Sequence, residues 1–166
     1  MSIALSEHKF FKSLLLCTAA LAAGSLHAAT CSVISASLNL GLYDALAANP
    51  NLSSGSVRVS CSKEASAVTE LVTVTLQLMP SSTTANGSRK LVSGSEMLAI
   101  GLYTDLLRTR PWGDGTQGTF TLTGMTALTV ANSTVILDFP VYGSVPTRQS
   151  SAASSYAGLF TIQLTF

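Results

Sequence analysis

Few side chains in this sequence are able to act as nucleophiles, general bases or soft metal ligands. The 166 residues include three cysteines and two histidines. His8, Cys17 and His27 fall within the first 28 positions, whereas Cys31 and Cys61 lie beyond them. A Ser-His-Asp or Cys-His system needs an imidazole beside its nucleophile. The chemistry open to the protein therefore depends on whether its first 28 residues are retained.

The start of the chain has the layout of a secretory signal peptide. Lys9 and Lys12 precede an uncharged, largely apolar run, and small residues follow at Ala28 and Ala29. The run is about a dozen residues long, which is shorter than the roughly 20 that a helix needs to span a bilayer. We therefore predict export, with cleavage after Ala28 or Ala29.

Removal of residues 1–28 would leave one domain, residues 29–166, that contains no histidine. Such a domain has no histidine-dependent nucleophile and lacks the commonest transition-metal ligand. The sequence therefore predicts no catalytic, cofactor-binding or metal site, and no enzymatic activity. A carboxylate pair brought together by folding is the remaining catalytic alternative. The carboxylates of this domain are scattered through the chain, at Asp44, Glu64, Glu70, Glu96, Asp105, Asp114 and Asp138.

Cys31 and Cys61 form an even pair once Cys17 has left with the leader. In the oxidising compartment that a leader implies, a disulfide is their expected state. The alternative is a pair of free thiols serving in redox chemistry or metal binding. The sequence gives it no support, because no Cys-x-x-Cys spacing and no nearby histidine accompany the two cysteines.

The charge of the chain argues against nucleic acid as a partner. The sequence has 9 Lys and Arg against 8 Asp and Glu, so its net charge is +1. Binding to a phosphate backbone requires a concentrated basic face. The only local clusters are Arg89-Lys90 and Arg108 to Arg110, which we interpret as solvated loop charges. The low charge and 47% hydrophobic content favour a chain that buries itself, or is buried against copies of itself.

Short segments with a period of two dominate the sequence after the leader. Apolar residues alternate with polar ones from Val57 to Cys61 and from Val72 to Leu78, and turn signals such as Asn49-Pro50 and Asn86-Gly87 separate such segments. No stretch keeps a helical period for three turns. The pattern predicts an all-β fold and favours a β-sandwich.

The last segment of the sequence also has the pattern of a strand. Phe160, Ile162, Leu164 and Phe166 are apolar at every second position, with polar residues between them. A strand of this kind must bury one face and pair at least one edge, so a neighbour has to lie beside it.

Taken in order, several motifs resemble the spore coat protein U domain, which is shared by pilins of archaic chaperone-usher systems. Individually the motifs are short, but they occur in the family's order from Cys31 to Phe166. They are Leu40-Gly41-Leu42-Tyr43-Asp44, Val57-Arg58-Val59-Ser60-Cys61, Arg89-Lys90-Leu91, Leu98-Ala99-Ile100-Gly101-Leu102-Tyr103-Thr104-Asp105, Trp112-Gly113-Asp114-Gly115, Val141-Tyr142-Gly143-Ser144-Val145-Pro146 with Gln149, and Ser155-Tyr156.

The resemblance implies an incomplete immunoglobulin-like β-sandwich that lacks its last strand and is completed by a donor strand. It implies an exported subunit of a cell-surface pilus that supports adhesion and biofilm formation. The implied partners are a periplasmic pilus chaperone, an outer-membrane usher and other pilus subunits, with no small-molecule substrate and no cofactor. On this interpretation the donor strand enters a groove lined by Ile34, Leu38, Leu40, Phe160, Ile162, Leu164 and Phe166, with Ala36 between the first two.

One departure from the family pattern affects the predicted role. Pilins that donate a strand carry an alternating extension of about ten residues before the first cysteine, whereas cleavage here would leave one or two residues before Cys31. The chain is thus predicted to accept a strand but not to donate one. Two alternatives stay open at this point. They are a self-contained coat protein secreted onto a spore or cell surface, and a carbohydrate-binding adhesive module using exposed loops such as Leu106 to Pro111.

Overall fold

The computed structural model describes residues 29–64, 67–79 and 88–166. The predicted leader, with Cys17 and both histidines, lies outside these residues, as does the predicted turn at Asn86-Gly87. Eight strands and no helix occur in the described part, so it contains no helix that would cross a lipid bilayer. The strands are β1 (Thr30–Leu38), β2 (Asn51–Ser62), β3 (Glu70–Leu78), β4 (Ser88–Ser93), β5 (Glu96–Tyr103), β6 (Leu122–Leu128), β7 (Thr134–Val145) and β8 (Ile162–Thr165).

The strands form two antiparallel sheets that pack as a sandwich. One sheet has the order β1-β2-β7-β5-β4 and the other has the order β6-β3-β8. The predicted all-β sandwich is therefore confirmed. The first four strands of the larger sheet, β1-β2-β7-β5, match strands A-B-E-D of an immunoglobulin domain, and β3 and β8 correspond to strands C and F of the second sheet. Among the described residues, no strand occupies the place of strand G beside β8.

The core consists of the alternating positions that the sequence pattern indicates. Val59 and Cys61 of β2 and Val74 and Leu76 of β3 are fully buried, whereas their polar neighbours point outward or lie half-buried. Burying one such side chain stabilises the fold by roughly 1.5–3 kcal/mol. Strands β5 and β7 bury inward residues in the same way, so the core lies between the two sheets.

The predicted disulfide between Cys31 and Cys61 is present. The two residues lie directly opposite each other on β1 and β2, which are antiparallel. Because β1 pairs with β2 alone, the covalent bond fixes an edge strand to the centre of its sheet.

One charged side chain is buried at the opposite edge of this sheet. Arg89 of β4 points inward and is 3% exposed, with its Nη2 donating to the Leu78 carbonyl oxygen at 3.4 Å. Loss of solvent lowers the pKa of Arg89, and attraction to Asp114 partly offsets this shift. The guanidinium thus joins the ends of β3 and β4 across the two sheets.

Candidate strand-acceptor site

The edge of β8 that faces away from β3 carries no described strand. On its other edge β8 pairs with β3, from Leu78 opposite Ile162 to Thr75 opposite Thr165. Leu76 and Leu78 of β3 are completely buried, whereas their partners on β8 are only half-buried. The inward face of β8 is therefore only partly covered by the rest of the chain.

The strand is shorter than the alternation predicts. Only Ile162–Thr165 has strand structure, with Phe160 before it and Phe166 after it. Phe160 packs against the core and is half-buried, whereas Phe166 is 58% exposed. The end of the chain thus presents an aromatic ring to solvent beside the open edge.

The inner face of β1 is also uncovered. Val33 is 37% exposed although it lies opposite Val59, which is fully buried. An irregularity between Val33 and Ser35 adds Ile34 as an extra residue, so the side-chain alternation changes phase there. Cys31 and Val33 share the core-facing side before this bulge.

The bulge at Ile34 explains why Val33 is not among the residues that the sequence predicts for the groove. Counting every second position backward from Leu38 selects Ile34, which instead occupies the bulge and is 50% exposed. Val33, which was not selected, lies on the same face as the disulfide. Its spacing of two from Cys31 is the sequence signal that could have identified it, because a core disulfide fixes the inward side of the strand.

Leu38, the last residue of β1, and Leu40, which follows it, pack against β7. A β-carbon added to Gly143 of β7 would lie 2.7 Å from Leu40 Cδ2 and 3.0 Å from Leu38 Cδ2, so the two leucines pack directly on the glycine backbone. The residues predicted to line the groove are therefore in two groups, one on β8 and its flanks and the other on β1 and the segment after it. Strands β1 and β8 approach each other across the sandwich. Their role in accepting a strand stays a prediction.

The sequence matches the family model described as the Spore Coat Protein U domain over residues 17–163. This match spans most of the chain. The protein belongs to the Spore Coat Protein U domain family. No curated protein matches the sequence. The family is one of structural coat and pilus proteins and is not a known enzyme family, so membership is consistent with a structural subunit.

Between β5 and β6, this Spore Coat Protein U domain carries a loop built around Asp105. The Asp105 carboxylate accepts hydrogen bonds from the backbone N–H groups of Thr109 and Arg110, at 2.8–3.1 Å, and from the Thr109 hydroxyl at 2.8 Å. Arg108 has a positive φ of 56° and donates from Nε to the Gly143 carbonyl oxygen at 3.0 Å. Its Nη2 donates to the Ser53 carbonyl oxygen at 3.1 Å. These bonds fix the loop to β2 and β7.

The Asp105 loop is expected to open in acid. Desolvation raises the pKa of Asp105, but the hydrogen bonds from Arg110 and Thr109 outweigh it and hold the pKa below its ordinary value. A lowered folded-state pKa means that this stabilisation is present above the ordinary pKa of about 3.9 and is lost as the pH falls through the lower value. The protection of the Thr109 and Arg110 amides, measured as the exchange rate relative to the intrinsic rate at the same pH, should therefore decrease as the pH falls below about 4. In Asp105→Asn this pH dependence should disappear, and protection of the wild-type amides that stays unchanged in acid would contradict the assignment.

The domain's single tryptophan is a core residue and not a surface platform. Trp112 is 3% exposed, and its Nε1 donates to the Leu76 carbonyl oxygen at 3.2 Å. Gly115 in the turn that follows has a φ of +88°, and the Asp114 carboxylate accepts from Thr116. The Trp112 to Gly115 motif is therefore a structural turn that joins the two sheets.

A shallow depression of about 560 Å³ lies next to this turn, at the start of β6. Threonines, Phe120 and Arg110 form much of its lining. The Arg110 guanidinium lies 4.4 Å from the centre of the Phe120 ring, so one face of the ring is already occupied by a cation. Across the described residues, no group of three cysteine, histidine or acidic side chains is placed to hold a metal ion.

Proposed function

We propose that this protein is an exported structural subunit of a cell-surface pilus, assembled by accepting a strand from another polypeptide. The observation that carries the proposal is the open edge of β8. Its inward side chains Ile162 and Leu164 are only half-buried, whereas their partners on β3, Leu78 and Leu76, are completely buried. The Spore Coat Protein U domain supports a structural role in a coat or pilus.

The place available for an added strand follows from the topology. In an immunoglobulin sandwich strand G pairs with strand F, which corresponds to β8 here. A donor in that place would form main-chain hydrogen bonds to β8 while its alternate side chains enter the space between β8 and β1. It would cover the exposed apolar surface of Val33, Ile162 and Leu164 together.

The energetic gain from such a strand is large enough to support a stable complex. Four inserted apolar side chains would gain on the order of 6–12 kcal/mol from burial. Main-chain hydrogen bonds along β8 add to this gain, and the loss of translational and conformational freedom offsets part of it. The donor is first a periplasmic chaperone and then a neighbouring subunit, with an outer-membrane usher as the export site.

The first experiment compares the exported protein expressed alone with the protein expressed beside a periplasmic pilus chaperone from the same organism. Size exclusion and intact mass are measured for both preparations. We expect a disulfide-bonded subunit that is soluble only as a one-to-one complex with the chaperone. A stable folded monomer without any partner would contradict strand acceptance.

A second candidate function is a self-contained coat protein deposited on a cell or spore surface. The closed core between β2 and β3, which this chain forms by itself, favours it. The same experiment distinguishes the two, because a coat protein of this kind would be monodisperse without the chaperone.

A further inference from the structure

The first described residue, Ala29, is held against the opposite sheet. Its backbone nitrogen donates to Glu70 Oε1 at 2.8 Å, and the residue is 5% exposed. Ala29 directly precedes β1, whereas Glu70 is the first residue of β3 in the other sheet. The bond therefore links the two sheets, two residues before the disulfide at Cys31.

We propose that a leader peptidase hydrolyses the bond between Ala28 and Ala29, and that the new α-ammonium of Ala29 binds the Glu70 carboxylate. Water attacks the Ala28 carbonyl carbon and the C–N bond breaks. The hydroxyl group goes to the Ala28 carboxyl, and the hydrogen goes to the Ala29 amine. The amine then takes up a proton from solvent. This inference rests on the export in the proposed function and not on strand acceptance.

The contact with Glu70 selects between the two cleavage points that the sequence leaves open. Both Ala28 and Ala29 are small enough to precede a cleaved bond. Cleavage after Ala29 would remove the nitrogen that Glu70 binds and the buried methyl group beside it. Cleavage after Ala28 keeps both and replaces the neutral N–H donor with an ammonium, so that the hydrogen bond to the Glu70 carboxylate becomes an ion pair.

The Ala29–Glu70 pair lies at the start of β3. Thr165 of β8 pairs with Thr75 and Ile162 pairs with Leu78, so β8 runs toward the Glu70 end of β3 and stops before reaching it. At that end no described strand lies on the β8 side of β3. The Ala29–Glu70 pair therefore joins the two sheets at the end of β3 that β8 does not reach.

The first test is the intact mass and N-terminal sequence of the full-length precursor after export. An N-terminus at Ala29 supports the proposal. An N-terminus at Thr30 or at any other position overturns it while leaving export intact. A retained leader overturns both this inference and the export on which it rests.

The second test separates the charged pair from a general structural role of Glu70. Mature protein with an intact disulfide is prepared with its N-terminus at Ala29, and again with one added residue, Ala28, which moves the ammonium away. Glu70→Gln is expected to lower the Tm of the first protein by about 3–6 °C and that of the second by less than half as much. Glu96→Gln, at the exposed start of β5, serves as the control and should leave both Tm values unchanged. Equal Glu70→Gln shifts in the two proteins would overturn the ion pair.

Discussion

Replacing Leu164 with aspartate is expected to abolish formation of the chaperone complex and, with it, secretion of the subunit. Leu164 lies on the inward face of β8, opposite the fully buried Leu76. A donor strand would enclose the new carboxylate in an apolar groove without a counter-ion, which costs several kcal/mol. Ile162→Asp should behave in the same way. The measurement is the amount of subunit that co-purifies with the chaperone, which should fall at least tenfold, since 1.4 kcal/mol already corresponds to tenfold.

The same strand offers a matched control for these variants. Gln163 lies between the two groove residues and is exposed on the outer face. Gln163→Asp adds the same charge to β8 without placing it in the groove, so complex formation should persist. Phe166→Asp addresses the alternative that an aspartate simply unfolds the core, because Phe166 is 58% exposed and outside the strand. Phe166→Asp should weaken the complex while the subunit stays folded. Normal assembly of Ile162→Asp and Leu164→Asp would refute the predicted groove.

The parts of the fold that could be predicted from sequence are those fixed by local alternation. Val72, Val74, Leu76 and Leu78 occupy every second position, and β3 buries each of them. A single strand period is enough to assign such residues to one face, because the strand has no irregularity. The Cys31–Cys61 bond could be predicted because the expected removal of Cys17 leaves an even pair, in the oxidising compartment that export would imply.

The inward-facing residues of β1 in the candidate site could not be assigned from alternation alone, because the strand contains a bulge. The bulge at Ile34 depends on how β1 pairs with β2, and a shift of one residue exchanges the two faces of a strand. The apolar alternation of β1 does not mark that shift, and only the spacing of two between Cys31 and Val33 indicates that Val33 faces inward. On β8 the alternation from Ile162 to Thr165 is unbroken, so the face on which each of its side chains lies could be predicted from the sequence.

Long-range polar contacts were equally beyond sequence reasoning. Arg108 was interpreted as a solvated loop charge, yet its guanidinium donates to Gly143, 35 positions away, and to Ser53, 55 positions away. Its role depends on strands β2 and β7 being adjacent, which composition does not reveal. Arg89 was interpreted in the same way and is buried, because its strand places it inward at the edge of the core. For both arginines, the surroundings of the guanidinium depend on which strands the fold brings together and not on the local sequence.

Loss of the Cys31–Cys61 disulfide is expected to lower the stability of the domain strongly. Cys31 and Cys61 are 30 positions apart, and closing a loop of that length stabilises a fold by about 3–4 kcal/mol in the chain-entropy model. This is a large fraction of the roughly 5–15 kcal/mol that typically separates folded from unfolded protein. Cys61→Ser should therefore sharply lower the yield of folded protein. This substitution also places a hydroxyl group at a position with no solvent exposure. A hydroxyl without a hydrogen-bond partner there lowers the free energy of unfolding further, by about 1–3 kcal/mol.

The double variant Cys31→Ala with Cys61→Ala isolates the cross-link from the buried hydroxyl, and it should still lose about 3–4 kcal/mol in the free energy of unfolding. Denaturant unfolding of the purified protein, or of its chaperone complex if the subunit alone is insoluble, measures this loss. Cys17→Ser provides the matched control, because the predicted leader carries Cys17 away and the mature protein should be identical to wild type. Unchanged stability with both thiols free would show that β1 is held by its pairing with β2 alone. In that case the main-chain hydrogen bonds between β1 and β2, and not the covalent bond, would hold β1 in place.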